Sequence, residues 1–236
     1  MSRAFEEIDH QTTPMGEISL RRRLEPTLQV DVYEVKLGDE FLISSLFTAS
    51  EEAVARLGLG ALEGDHLDVV VGGLGLGYTA SVALEDARVS RLQVIEALPE
   101  VIGWHRDHLV PLGAGLTGDE RCTLVDGDFF AMVADGIETG GDGPRRFDAI
   151  LVDIDHTPSH LLNPSHGSFY SPTGLARVRD QLRPEGVFAL WSDDPPDAEF
   201  VTLLEQSFAS ATAHVVSFPN FYTGGESACT VYVAIA

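Results

Sequence analysis

Cysteine is nearly absent from this chain. Its 236 residues contain two, Cys122 and Cys229, which lie far apart and form no CxxC pair. That excludes a disulfide framework and a cysteine-based zinc site, and it leaves both thiols as core residues. Basic residues are also scarce: 15 Lys and Arg stand against 37 Asp and Glu, a formal net charge of −22. Such a field repels phosphate backbones. The sole basic cluster, Arg21–Arg22–Arg23, is too short for a nucleic-acid stripe, so no nucleic acid partner is expected. The acidity itself has two readings, solubility or salt adaptation on one side and attraction of a cationic substrate on the other. No apolar run approaches the roughly 20 residues of a spanning helix, and no membrane partner is expected. The opening "MSRAFEEIDHQTTPMGE" lacks the basic-then-apolar order of a signal peptide, so the expectation is a cytoplasmic protein. No internal repeat or low-complexity linker is present.

What is present is a pattern of strands and helices. Residues from about Glu17 to Ile43 read as strands, with a Gly-Asp turn in "LGDEF" between two of them. This predicts a small N-terminal β-unit over residues 1–47. "TASEEAVARLGLGAL" then begins a helix, with Thr48 as N-cap and Glu51 at capping-box spacing. From Asp68 onward, apolar strands alternate with helices: "LDVVVGG", "RLQVIEA", "CTLVDGD", "FDAILVDID" and "GVFALWSDD". "SFPNFYTGGESACTVYVAIA" supplies two closing strands. Alternation of this kind implies an α/β domain, residues 48–236, around a mainly parallel sheet with helices on both faces. In such sheets ligands bind beyond the carboxyl ends of the strands, and that is where this chain places its carboxylates.

"VVVGGLGLGY" sets Gly73, Gly75 and Gly77 directly after the first parallel strand. Glycines there permit a tight turn and close approach of a ligand to the backbone; the loop can also be a tight turn and nothing more. The dinucleotide fingerprint needs glycine at 78, where Tyr78 stands, which argues against a nicotinamide cofactor. Glu96 ends the second strand nineteen residues after Gly77, about the spacing at which an acid reaches ribose hydroxyls. The third strand ends in "VDGDFF". Asp126 and Asp128 can accept from an exocyclic adenine amine, although Asp126 alternatively forms an Asx-turn with Gly127. Glycine loop, Glu96 and Asp128 on three successive strand ends point together to an adenosine site.

The fourth strand runs into "FDAILVDIDHTPSH", where Asp153, Asp155, His156 and His160 cluster before and after a proline. Asp153 ends a buried strand at the ligand edge, which favours chemistry over capping. Asp155 is a candidate for the same site if the chain turns after Asp153, as Pro158 suggests; a turn cap is its other reading. His156, His160 and His166 invite a metal reading, the first two at the spacing of a helical pair, but prolines in "TPSHLLNPSHGS" oppose a helix, and no metal site is expected. His156 can instead contact substrate or shuttle a proton. Ser192, Asp193 and Asp194 form either an acidic wall for an amine or a solvated turn. Trp191 and the pair Phe169–Tyr170 either line the pocket or fill the core, and "FYTGGES" is a lid or a hairpin turn.

In order and spacing, "VGGLGLG", "VIEA", "DGDFF", "VDIDHTP", "SFYSPTGL", "LRPEGVFAL" and "FPNFYTGGES" resemble the spermidine synthases. These are polyamine aminopropyltransferases on the class I S-adenosylmethionine-dependent methyltransferase fold. The likeness covers most of residues 66–236, and the small β-unit fits it too. It implies a Rossmann-like fold with a mainly parallel seven-stranded sheet behind the N-terminal β-unit. Gly73, Gly75, Gly77, Glu96 and Asp128 become nucleoside contacts, and Asp153 the catalytic aspartate. Asp155, His156, Asp193 and Tyr170 become substrate-binding candidates. The implied co-substrate is decarboxylated S-adenosylmethionine, or S-adenosylmethionine itself, with no metal, a small-molecule amine as acceptor and a homodimer as assembly. Three positions depart from the related patterns. Gly75 stands where the family's loop carries an aspartate, His156 stands where its second strand-four aspartate would be, and Val71 replaces the acid that methyltransferases place before the loop. The expectation is therefore an aminopropyl transferase. Its alternatives are a small-molecule methyltransferase and a catalytically inactive nucleoside-binding homologue.

Overall fold

Charged residues alternate with β-branched and apolar ones through the first strands, and in the computed structural model, which describes residues 5–137 and 146–236, that alternation becomes a four-stranded antiparallel sheet. Its strands are β1 (Phe5–Thr13), β2 (Gly16–Glu25), β3 (Val30–Leu37) and β4 (Glu40–Ser44), paired in sequence order. Gly38, at φ +58, makes the expected turn between β3 and β4. Ile18, Leu20, Val32 and Val35 are buried, while the three arginines of β2 stay at the surface side. Each meets a carboxylate: Arg21 pairs with Glu7, Arg22 with Glu6 and Arg23 with Glu34. The basic cluster is thus neutralised within its own sheet.

The remainder runs α1 (Ala49–Gly60), β5 (Leu67–Gly72), α2 (Tyr78–Glu85), β6 (Val89–Glu96), α3 (Pro99–Arg106), α4 (Gly113–Gly118), β7 (Cys122–Asp126) and α5 (Phe129–Asp135). After residue 145 come β8 (Phe147–Val152), a 3-10 turn (Pro164–Ser168), α6 (Pro172–Asp180), β9 (Leu182–Ser192), α7 (Ala198–Glu205), β10 (Ser210–Asn220) and β11 (Gly225–Ile235). The seven strands β5–β11 order as β10-β11-β9-β8-β5-β6-β7. Strands β5 to β9 pair in parallel, whereas β11 is antiparallel to both its neighbours.

The period of two in the central strands decides what each face packs against. Val69 and Val71 of β5, with Ala149 and Leu151 of β8, join the core beneath α1 to α3 and the N-terminal sheet. Val70 of β5, with Ile150 and Val152 of β8, joins the opposite core under α5, α6 and α7. Covered on both faces, these strands read as unbroken apolar runs, as buried parallel strands do. Burial of each such side chain contributes about 1.5–3 kcal/mol, so the strand ends that carry the polar groups rest on a rigid base.

Two local expectations are corrected. Thr48 does stand at the N-cap of α1, but no capping box forms; its hydroxyl donates to Glu52 (2.9 Å), and Glu51 turns inward. The last hairpin is longer than the sequence suggested. Strand β10 begins at Ser210 because "SATAHVV" alternates in exposure, and it pairs with β11 from Ser210–Ile235 to Asn220–Gly225. Its tip, "FYTGG", is a hairpin turn whose Phe221 and Tyr222 rings pack around Phe47.

Candidate active site

A cavity of about 370 Å³ opens between the N-terminal sheet and the carboxyl edge of the seven-stranded sheet. Val35 and Leu37 of β3 and Leu42 and Ile43 of β4 form an apolar roof. The floor is made by the glycine loop and by the ends of β6, β7 and β8. Among the expected site residues, Gly73, Gly75, Glu96, Asp128, Asp153 and His156 face this space, and Gly77, Asp155, Tyr170 and Asp193 do not.

The loop conformation explains why glycines are needed. Gly73 sits at φ +94, and a Cβ there would collide with the backbone carbonyl oxygen of Asp153. The first glycine therefore lets β5 and β8 close on each other, locked by Asp153 N donating to Gly72 O (2.9 Å), while Gly73 N donates to Ile95 O of β6 (2.9 Å). Gly75, at φ +48, lies under Ile43 of the roof. Gly77 instead begins α2 and packs against Leu116 and His105, so its role is to turn the chain away from the site. His105, fully buried, supports the loop from behind through Nε2 and the Gly75 carbonyl (3.0 Å), and burial lowers its pKa.

Glu96 closes β6 with both carboxylate oxygens engaged. Oε2 accepts from Leu74 N and Oε1 from Leu98 N, each at 3.0 Å. Burial raises this acid while the backbone N–H groups oppose the shift. Glu96 lines the cavity as a hydrogen-bond acceptor, the kind of group a vicinal diol needs. Asp128 caps α5, with Oδ1 accepting from Phe130 N (2.9 Å) and Ala131 N (3.1 Å). Its Oδ2 has no partner among the described residues and belongs to the same cavity.

At the other end of the space Asp153 lies beside Glu51, a residue the sequence had suggested only as part of a cap. Glu51 is 9% exposed and takes a hydrogen bond from Ser50 Oγ (2.6 Å). Thr79, from α2, sits between the two: its Oγ1 is 3.1 Å from the Glu51 carbonyl oxygen and 3.1 Å from Asp153 Oδ2. A hydroxyl has one hydrogen, so both bonds are made together only when Asp153 is protonated and donates to Thr79. Burial pushes Asp153 up to about 6. Burial first, and then the Asp153 charge, pushes Glu51 up to about 7. The chain has thus placed two carboxylates where only about one negative charge is comfortable without a cation.

The loop after β8 separates the remaining candidates. Asp155 is 1% exposed and, unlike Asp153, does not line the cavity, because the chain leaves the regular strand after Val152 and turns. Its Oδ1 accepts from Leu162 N (2.7 Å) and His166 Nδ1 (2.8 Å), and its Oδ2 from Tyr170 OH (3.0 Å). Tyr170 is accordingly a buried donor, its hydroxyl held well above the usual range by burial and by the Asp155 charge. His156 does reach the cavity, but its Nε2 faces Glu40 Oε1 of β4 at 3.1 Å. It ties the N-terminal sheet to the strand-four loop. Asp193 is exposed, and its backbone N donates to the His156 carbonyl (2.8 Å), so "SDD" forms a turn behind that loop. The His156 and His160 rings lie 5.0 Å apart; among the described residues no group of three His, Cys, Asp or Glu side chains is disposed to hold a metal ion. Trp191 lines the cavity, whereas Phe169 is core.

Sequence reasoning missed Glu51 as a site residue and weighed His166 only as a metal ligand. The signal for Glu51 was the doublet in "SEEA" at the start of an amphipathic helix, where one of two adjacent acids must face inward. His166 left no such signal, because its position depends on a 3-10 turn in a proline-rich loop.

Comparison with known proteins comes to a consistent result. No family model matches the chain. Polyamine aminopropyltransferase 2 of Pseudomonas aeruginosa is 26% identical over 164 residues, 65% of this chain and 43% of that protein. A polyamine aminopropyltransferase of Corynebacterium efficiens is 30% identical over 112 residues, 48% of this chain and 20% of that protein. The chain thus matches less than half the length of these curated relatives. Among solved structures, a spermidine synthase in complex with the transition state analogue AdoDATO superposes with a TM-score of 0.74 at 17% identity, covering 97% of this chain and 73% of that one. Spermidine synthase from Thermotoga maritima gives 0.72 at 16% identity, covering 97% and 72%. The chain shares the Rossmann-like α/β fold of these solved structures and has an antiparallel N-terminal β-unit.

Proposed function

We propose that this chain is a transferase that moves an aminopropyl group from decarboxylated S-adenosylmethionine to an amine acceptor. The carrying observation is the pair Asp153–Glu51 at one end of a cavity whose other end holds Glu96 and Asp128. The names of the curated relatives and the AdoDATO complex of a structural neighbour support the same reading.

The chemistry follows from the groups present. The sulfonium is already an activated leaving group, so the protein's task is to deliver a neutral amine to the aminopropyl carbon. An acceptor enters as an ammonium, and the paired carboxylates bind that cation, which lowers the cost of ionising both. Asp153 takes the proton, the amine nitrogen bonds to carbon, and the carbon–sulfur bond breaks to leave 5′-methylthioadenosine. Glu51 holds the second positive charge of the substrate, a role that the glycine loop cannot fill with Gly75. Glu96 and the glycine loop fix the ribose, and Asp128 the base. Residues 1–47 act as a roofing unit on the catalytic domain 48–236, and the Arg23–Tyr222 hydrogen bond (3.2 Å) joins the two. The reading includes a cytoplasmic setting and a homodimer, the latter by analogy with the family.

Incubation with decarboxylated S-adenosylmethionine and a panel of di- and polyamines, followed by mass spectrometry, is expected to show an amine heavier by one aminopropyl unit. Methyl transfer is the second reading, favoured by the absence of an acidic side chain at Gly75. Strong calorimetric preference for intact over decarboxylated cofactor would decide for it. Tight nucleoside binding with no product across the panel would instead indicate a binding protein.

A further inference from the structure

Asp155 and His166 do not take part in the transfer described above, yet Asp155 accepts three hydrogen bonds, one of them from His166. His166 is 7% exposed, lines the cavity and stacks on Phe130, with ring centroids 3.9 Å apart and planes at 24°. Its Nδ1 lies 2.8 Å from Asp155 Oδ1. A carboxylate oxygen accepts, so Nδ1 carries the hydrogen, and in the neutral tautomer that this selects, the lone pair lies on Nε2. That Nε2 has no protein partner among the described residues. Asp155 is itself immobile, held by Leu162 N and by Tyr170 OH. The ring is therefore fixed in tautomer and in plane, with an acceptor left over. Phe130, on which it stacks, lies in the first turn of the helix capped by Asp128. Asp128 offers a second free acceptor, Oδ2, to the same cavity.

We propose that Asp155 and His166 form a nucleobase-reading dyad, in which His166 Nε2 and Asp128 Oδ2 accept the two hydrogens of the exocyclic amine of a 6-aminopurine. This rests on the nucleoside reading of the cavity given above and adds its selectivity. A 6-oxo purine presents an oxygen to two acceptors and is repelled, while a purine without a 6-substituent leaves both unpaired. Sites built to pair with a polar group reject analogues that lack it more strongly than apolar pockets reject a change of size. Asp155 acts through His166 and is a positioning residue, not a contact.

Isothermal titration with 5′-methylthioadenosine, its 6-oxo analogue and its 6-unsubstituted analogue tests this directly. The unsubstituted chain is expected to bind the 6-amino ligand at least tenfold more tightly than either analogue. In His166→Phe, which keeps the stacking surface, affinity for the 6-amino ligand is expected to fall about tenfold, the worth of one such hydrogen bond. Binding of the 6-unsubstituted analogue should stay within about twofold, since the coupling belongs to the amine. An equal loss for both ligands, or an unchanged ratio, overturns the dyad as a reader and leaves it a structural element. Should His166→Phe fail to fold, the unsubstituted chain decides alone, because failure to prefer the 6-amino over the 6-unsubstituted ligand overturns the proposal. No binding of any of the three nucleosides overturns the nucleoside reading itself, an outcome distinct from binding without selectivity.

Discussion

The two ends of the cavity treat negative charge in opposite ways. At the base end, Glu96 accepts from two backbone N–H groups, Asp128 from two, and Asp155 from a backbone N–H, an imidazole and a phenol. At the reacting end, Asp153 and Glu51 draw chiefly on the hydroxyls of Thr79 and Ser50, and the charge of Asp153 works against the ionisation of Glu51. Donors in place before any ligand arrives fix a carboxylate's geometry. Carboxylates buried without them hold a deficit that a cation can fill. On the proposed function, the base end is finished without substrate and the reacting end is completed by it.

If this contrast is right, substitutions at the two ends should fail in different observables. The largest effect is expected for Asp153→Asn. Turnover should fall by about 10²–10⁴ on removal of the proton acceptor, while calorimetric affinity for 5′-methylthioadenosine changes little. Comparable loss of nucleoside affinity would mean that the two ends are not separate. Next comes Asp155→Ala, which strands the His166 and Tyr170 donors in a buried space. Stability is expected to drop by about 3 kcal/mol, read as a fall in the midpoint of chemical unfolding. A smaller effect of opposite sign is expected for Glu51→Gln. It removes a repelled buried charge, so the ligand-free chain gains up to about 1 kcal/mol at pH 8 while KM for a polyamine rises about tenfold. Destabilisation by Glu51→Gln would show that the carboxylate serves the fold and not the acceptor.

Much of this arrangement was legible in the residues. The apolar strands, each ending in Gly, Glu or Asp, gave the parallel sheet and its ligand edge, because unbroken apolar runs between helices have few alternatives. The Gly38 turn and the order of motifs along residues 66–236 were equally local. What escaped the sequence depends on long-range placement. Whether the Glu51 side chain faces solvent or Asp153 depends on how α1 lies across β8 and β9, and the capping-box spacing pointed the other way. The dyad of Asp155 and His166 spans eleven residues of turns and prolines, where no period exists to be read. His156 was recognisable as a departure from the family's acid, but its partner Glu40 lies on a different sheet.

The subtlest difference between the two ends is their response to pH. An acid raised in the folded state binds its proton more tightly there than in the unfolded chain. Asp153 and Glu51, usually 3.8 and 4.5, stand at about 6 and about 7. The folded ligand-free chain therefore carries more protons than the unfolded one from roughly pH 4 to 7. The stability contributed by these two groups is fully present below the unfolded values and is lost as pH rises through the folded ones. Thermal midpoints measured across that window should fall with rising pH on this account, and the slope should be shallower in Glu51→Gln. Activity runs the other way, because binding a cationic amine requires the ionised pair. The acid limb of kcat/KM is expected near 7 and should move toward 6 in Glu51→Gln, where Asp153 titrates alone. A limb that stays in place would assign the ionisation to a group outside the pair. A midpoint slope unaffected by Glu51→Gln would show that Glu51 is not the repelled charge, and with it the contrast between a finished end and an unfinished one would fail.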